Sequence, residues 1–199
     1  MVTSLPCFSV SAKWIKSSYE ERIVIRSFQG KTPKVHPTAW VSEAAYVIGD
    51  VEIGEHSSVW PGTVIRADTI KITLGKYVDI QDNCVLHADS DAYYGDYVTL
   101  GHGVTCHAKH ISSHCLIGNG ATLNDGVVLG ENSIVASGAV VLERKEFPPN
   151  SFVVGVPASA REEPTNERHH AMIQRTAENY ARKAQLFKEE GLGSTEIEG

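Results

Sequence analysis

The chain has 199 residues, 42% of them hydrophobic and 21% charged, ordinary proportions for a chain that buries a core. Eighteen Lys and Arg against 24 Asp and Glu give a net charge of −6, which excludes the basic footprint of a nucleic-acid binder. No apolar run approaches the ~20 residues of a membrane-spanning helix, so no membrane insertion is expected.

Residues 1–22 read as a flexible extension. Their first nineteen positions lack acids and carry Lys13 and Lys16 among serines, which also resembles an organelle-targeting segment. Cys7, Cys84, Cys106 and Cys115 form no CxxC pair, so reduced thiols are expected rather than a disulfide framework. A cytoplasmic location follows, with a mitochondrial one as the second reading.

From residue 23 a period of six takes over. Aliphatic side chains recur at Val35, Val41, Val47, Ile53, Val59, Ile65, Leu74, Ile80 and Leu86. After an interruption they resume at Leu100 and continue through Cys106, Ile111, Ile117, Leu123, Leu129, Val135 and Val141. Small or β-branched residues follow most of these by four, and glycines (Gly54, Gly75, Gly101, Gly118, Gly130) follow several by one. A period of six fits neither an α-helix nor simple strand alternation. It fits a parallel solenoid in which three hexads make one triangular coil: the aliphatic residue fills the interior, and the glycine relieves φ at the turn. The pattern resembles the hexapeptide-repeat family, so the expected fold is an all-β solenoid, a left-handed parallel β-helix over residues 23–160.

Three irregularities interrupt the count. Ile65 to Leu74 spans nine residues, Leu86 to Leu100 fourteen, and Cys106 to Ile111 five. The stretch Asp89-Ser90-Asp91-Ala92-Tyr93-Tyr94 reads as a protruding loop, and such loops commonly border a solenoid's binding face. The C-terminal portion, 161–191, holds a C-terminal α-helix over 165–190, with Met172, Ala177, Tyr180, Ala184 and Phe187 as the stripe packing on the solenoid. Residues 192–199 read as a disordered tail.

The hexad count sorts the nine histidines. His36, His56, His169 and His170 fall at turns or on the tail helix, where exposed, uninvolved imidazoles are expected; His110 and His114 follow the site motif closely but lie out of its register and are expected to support the site from outside at most. Arg66, His87 and His107 each follow an inward residue by one and form one column on successive coils. Gln81 and His102 belong to the preceding face. A homotrimer brings two faces of neighbouring prisms together, so His87 and His107 of one subunit would meet His102 of the next around a metal. Three neutral imidazoles with an open fourth position are the ligand set of a catalytic zinc.

The stretches Trp60-Pro61-Gly62-Thr63-Val64-Ile65-Arg66-Ala67-Asp68, Ile80-Gln81-Asp82-Asn83-Cys84-Val85-Leu86-His87 and Gly101-His102-Gly103-Val104-Thr105-Cys106-His107 resemble γ-class carbonic anhydrases. So do Gly118-Asn119-Gly120-Ala121 and Gly155-Val156-Pro157-Ala158. The resemblance implies a homotrimer with Zn2+, Fe2+ or Co2+ on His87, His102 and His107, hydrating CO2 reversibly to bicarbonate through a metal-held hydroxide. It makes Gln81, Tyr180 and Arg66 the residues facing the substrate. Arg66 has a second reading, an ion pair with Asp82 across the subunit contact, and Asp68 joins that network.

The family's archetype carries a proton-shuttling acidic loop that this sequence lacks after Asp68. Asp89 and Asp91 stand in as proton-shuttle residues. Two other readings remain. One is a γ-carbonic-anhydrase-like structural subunit of a larger assembly such as mitochondrial complex I; the other is a hexapeptide acyltransferase or thioesterase.

Overall fold

The computed structural model describes residues 24–193 and a short strand at Ile197–Glu198; the N-terminal extension expected over 1–22 lies outside the described residues. The hexads build a parallel β-solenoid of about seven turns with one C-terminal helix, the fold class that the period implies. Its strands are mostly two residues long, because each coil turns a corner every six residues. Two longer strands, Tyr46–Ile53 and Val64–Leu74, run round a corner and serve two faces.

Three columns of inward side chains fill the prism. One stacks Val41, Val59, Ile80, Leu100, Ile117, Val135 and Val153. The next stacks Val47, Ile65, Leu86, Cys106, Leu123 and Val141. The third stacks Val35, Ile53, Leu74, Tyr94, Ile111, Leu129 and Phe147. All pair in parallel, and all but Val35 and Phe147 are buried.

Tyr94 corrects the expected loop over 89–94. Ala92–Tyr94 is a strand, and the Tyr94 ring occupies an aliphatic position between Leu74 and Ile111 with 0% exposure. The surplus residues precede it, which displaces it from a strict six-residue count. Its buried hydroxyl has only the Cys106 thiol, a weak partner, beside it, and burial pushes its pKa well above the phenolic range.

The hexad glycines also act differently from expectation. Gly101 and Gly118 lack positive φ. A Cβ at Gly118 would strike the Ser137 amide and come within 2.9 Å of the Ala136 carbonyl carbon, so close stacking of coils excludes a side chain. Left-handed backbone falls elsewhere: one corner has Gly62, Asn83, Gly103, Gly120 and Gly138, another His56, Tyr77, Tyr97 and His114. The last four stack as a ladder with ring centroids 4.8, 4.8 and 4.9 Å apart.

The helix spans Glu167–Glu189 and starts from Asn166, whose side chain accepts from the backbone N–H groups of Arg168 and His169. His169 Nδ1 accepts from the Asn166 N–H at 3.2 Å, closing a capping box. His170 Nε2 lies 3.0 Å from the Thr165 hydroxyl. His36, whose Nδ1 lies 2.9 Å from Thr38 Oγ1, and His56, His169 and His170 therefore have structural partners, contrary to the expectation of uninvolved imidazoles. Ile173, Ala177 and Ala184 are the buried stripe. Met172 is only half-buried, and Phe187 stays 38% exposed while meeting Trp40 and Trp60 edge-on.

The helix covers the face built on Trp40–Val41, Ser58–Val59, Asp79–Ile80 and Thr99–Leu100. The adjoining face, beginning with Tyr46 and continuing through Val64, Val85, Thr105 and Thr122, has no helix over it among the described residues; Tyr46 is 37% and Val85 40% exposed. In the segment expected as a tail, the Leu192 carbonyl accepts from Trp40 Nε1 at 2.8 Å, and Ile197–Glu198 pairs with Ile25–Arg26. Among the described residues no helix is long and apolar enough to cross a membrane.

Candidate metal centre

Leu86 pairs with Cys106 on the adjacent coil, so His87 and His107 leave the solenoid side by side at one corner of the uncovered face. Ala88 and Ala108 follow them into the interior, 1% and 0% exposed, and fix the direction in which the imidazoles project. The rings lie 5.3 Å apart, edge to face. The Asp89 carboxylate joins them: one donor atom from each of His87, Asp89 and His107 lies within 4.8 Å of the others.

Asp68 supports this pair from the coil above. Its Oδ1 accepts from His87 Nε2 at 3.3 Å, and its Oδ2 is paired with the Arg66 guanidinium. Burial alone would raise the Asp68 pKa, but the hydrogen bonds from Arg66 and His87 outweigh it and hold the carboxyl below its ordinary value. Arg66 thus stands in the column with His87 and His107 as expected. Within the chain its partner is Asp68, whereas Asp82 takes His102.

His102 lies at the opposite corner of the uncovered face. Its Nδ1 lies 2.9 Å from Asp82 Oδ2, and its Nε2 lies 3.5 Å from the Tyr180 hydroxyl. Tyr180, from the helix, stacks edge-on against Trp60 at 5.4 Å. Burial pushes its pKa up, and the charges of Asp79 and Asp82 add to the effect. Gln81, 5% exposed, lines the same cleft with Thr99, Gly101, Asn119 and Tyr180.

One residue of this arrangement carries no motif in the sequence. Asp79 is 1% exposed; it accepts from Gln81 Nε2 at 2.8 Å and from Ser58 Oγ at 3.1 Å. Ser58 in turn accepts from Trp60 Nε1 at 2.9 Å. Burial raises the Asp79 pKa to about 7, against the opposing effect of these hydrogen bonds. The available signal was the spacing: Asp79 and Gln81 flank inward-facing Ile80, so both project from the same side of one strand.

The remaining expected residues separate. Asp91 does not reach the histidines and accepts from the Lys71 backbone N–H at 2.8 Å. His110 stacks on Tyr93 at 5.2 Å.

The donor chemistry fits a divalent cation. His87 donates one ring N–H to the Asp68 carboxylate, which leaves its other nitrogen with a lone pair, an orientation typical of metal-binding imidazoles, and His102 holds one ring nitrogen 2.9 Å from the Asp82 carboxylate. A single chain brings together His87, His107 and Asp89 but holds His102 apart.

Comparison with known proteins places this geometry in context. The bacterial transferase hexapeptide family, in its six-repeat form, matches residues 109–143. A protein named carbonic anhydrase from Geobacillus kaustophilus is 35% identical over 167 residues, 83% of this chain and 91% of its own. The mitochondrial gamma carbonic anhydrase 2 of Arabidopsis thaliana is 35% identical over 174 residues; the match takes in 83% of this chain but only 62% of that relative's length. A hexapeptide transferase family protein from Anaplasma phagocytophilum superposes with a TM-score of 0.80 at 32% identity, covering 83% of this chain and 99% of the other.

Proposed function

Because the chain belongs to the γ-class carbonic anhydrase-like family of hexapeptide-repeat proteins, we propose that it is a homotrimeric, metal-dependent catalyst of reversible CO2 hydration. The observation that carries this reading is the split of the histidines. His87 and His107 stand together at one corner of a face that no other described residues cover, and His102 stands at the other. Threefold packing through that face buries Tyr46 and Val85 and brings His102 of one subunit to the His87–His107 pair of its neighbour. The three imidazoles then hold Zn2+, Fe2+ or Co2+. Such a cation supplies a nucleophile for CO2 at neutral pH by acidifying a water.

The protein side chains do the rest. Asp68 fixes the ring orientation of His87 through its hydrogen bond, and Asp82 holds His102 through the close carboxylate contact. Gln81 is pinned by Asp79 through one amide hydrogen; its second N–H and its carbonyl remain to orient CO2 and bicarbonate. Tyr180 closes the cleft beside His102. Arg66, half exposed next to the site, gives the bicarbonate anion a positive surface to leave along. Exposed Asp91, in the same corner as Asp89, offers a carboxylate on the route by which a proton reaches solvent.

Stopped-flow CO2 hydration on anaerobically prepared, metal-replete protein tests the activity, and a mass of about 65 kDa, three times the chain's 21.6 kDa, tests the trimer. No rate above buffer with the metal sites filled would overturn the enzymatic reading and favour a structural subunit of a larger assembly. The hexapeptide transferase neighbour favours an acyltransferase as the second reading. Saturable acetyl-CoA binding in calorimetry would support it. The plant relatives named as mitochondrial make that compartment the place to look if the protein is not cytoplasmic.

A further inference from the structure

Asp89 stands in a corner that is long on one coil and short on the next. Seven residues separate the inward Leu86 from the inward Tyr94, but four separate Cys106 from Ile111 on the coil stacked against it. The surplus, Asp89-Ser90-Asp91, has to swing outward at the corner that carries His87 and His107. Both of its ends are tied. Asp91 Oδ1 accepts from the Lys71 N–H at 2.8 Å, and the Asp89 N–H donates to Asp125 Oδ1 at 3.4 Å, 36 residues away and two coils further along. The short corner between them is what lets Asp125 reach past the intervening coil.

These restraints set the Asp89 carboxylate against the two imidazoles, with all three donor atoms within 4.8 Å of one another. Ligands at 2.0–2.2 Å from a zinc-sized ion lie up to about 4 Å apart, so side-chain rotation of roughly 1 Å closes the set. We propose that Asp89 is a direct metal ligand, forming with His87 and His107 a site of two imidazoles and one carboxylate that retains a divalent cation within one subunit. The inference rests on the reading that His87 and His107 bind metal. It adds that His102 of a neighbouring subunit completes or exchanges with a coordination shell already formed. Two nitrogens and one carboxylate oxygen with open positions suit Zn2+, Co2+ and Fe2+.

The test titrates metal-stripped full-length protein with Co2+, reading calorimetric Kd and the visible Co2+ spectrum, with circular dichroism melts to verify folding. Four proteins are compared: wild type, Asp89→Asn, His102→Ala and the double variant. Asp89 is exposed, so the isosteric change leaves folding intact. The expected result is that His102→Ala still takes up one Co2+ per chain, and that adding Asp89→Asn weakens binding by more than the roughly 10–100-fold that loss of an outer-shell partner costs and alters the visible Co2+ spectrum. If wild type binds Co2+ but Asp89→Asn leaves Kd unchanged in both backgrounds, or His102→Ala binds none, Asp89 is not a ligand and the three-histidine site stands alone. A folded wild-type protein that takes up no Co2+ overturns the metal reading itself.

Discussion

Asp79 shows how far a single side chain departs from what its sequence position announces. Its pKa, raised from 3.8 to about 7 by burial, means that the folded state favours the protonated acid. The stability it contributes is complete below pH 3.8, falls as the unfolded chain ionises, and is lost once pH passes about 7. Asp79→Asn removes that penalty and retains a group able to accept from Gln81. The variant should match wild type near pH 4 and exceed it at pH 8, by at most about 4 kcal/mol for a three-unit shift. Urea midpoints at the two pH values check this, and a difference independent of pH would contradict it. Tyr94 makes the complementary case. Its buried hydroxyl meets only the Cys106 thiol, a weak partner, so Tyr94→Phe should leave stability within about 1 kcal/mol of wild type; a loss of several kcal/mol would refute the assignment. Neither residue was legible in the sequence. Asp79 reads as an ordinary outward strand residue until the helix covers it, and Tyr94 is displaced from the hexad count by the surplus residues before it.

Elements were legible where one physical demand sets the pattern. The inward columns follow from the aliphatic period alone, because every sixth side chain must fill the prism. Corners obey two demands that sequence does not separate: space between coils and sign of φ. Gly118 meets the first and Gly103 the second. At Gly103, φ is +71° and nothing lies within 4 Å of an added Cβ, so Gly103→Ala carries only the left-handed backbone cost, about 1–2 kcal/mol. Gly118→Ala has an ordinary φ but collides with Ser137 backbone, which forces two coils apart. It should lose more stability than Gly103→Ala, beyond about 3 kcal/mol as overpacking against backbone adds to lost ladder hydrogen bonds. Paired denaturation midpoints decide the order, and the reverse order would mean that φ alone governs the corners. The helix was foreseen nearly to its ends, yet its stripe was misassigned at Met172. Ile173 turns inward because the run Ile173, Ala177, Tyr180 and Ala184 keeps a steadier four- and three-residue spacing toward the face it covers.

At the scale of the whole molecule, the register of the histidines was legible because it follows from counting hexads. The same count led to the proposed meeting of the three across a subunit contact, which no single chain contains. The split site makes this testable by complementation. One chain carries His102→Ala with Asp89→Asn, which removes both routes to a full shell but keeps His87 and His107. The other carries His87→Ala with His107→Ala and keeps His102. Each alone lacks a complete set of ligands at every interface, so its homotrimer should hold little metal. Refolded together in equal amounts, the chains form mixed trimers in which an interface is restored when the first contributes the histidine pair and the second contributes His102. Random association gives that ordered pairing at about one interface in four. Metal content of the mixture should therefore rise toward roughly a quarter of the wild-type value, and any recovered CO2 hydration should rise with it. Ligands drawn entirely from one chain predict no recovery at any mixing ratio. A recovery that grows in proportion to the product of the two chain fractions, peaking at equal amounts, is the signature of a site assembled between subunits.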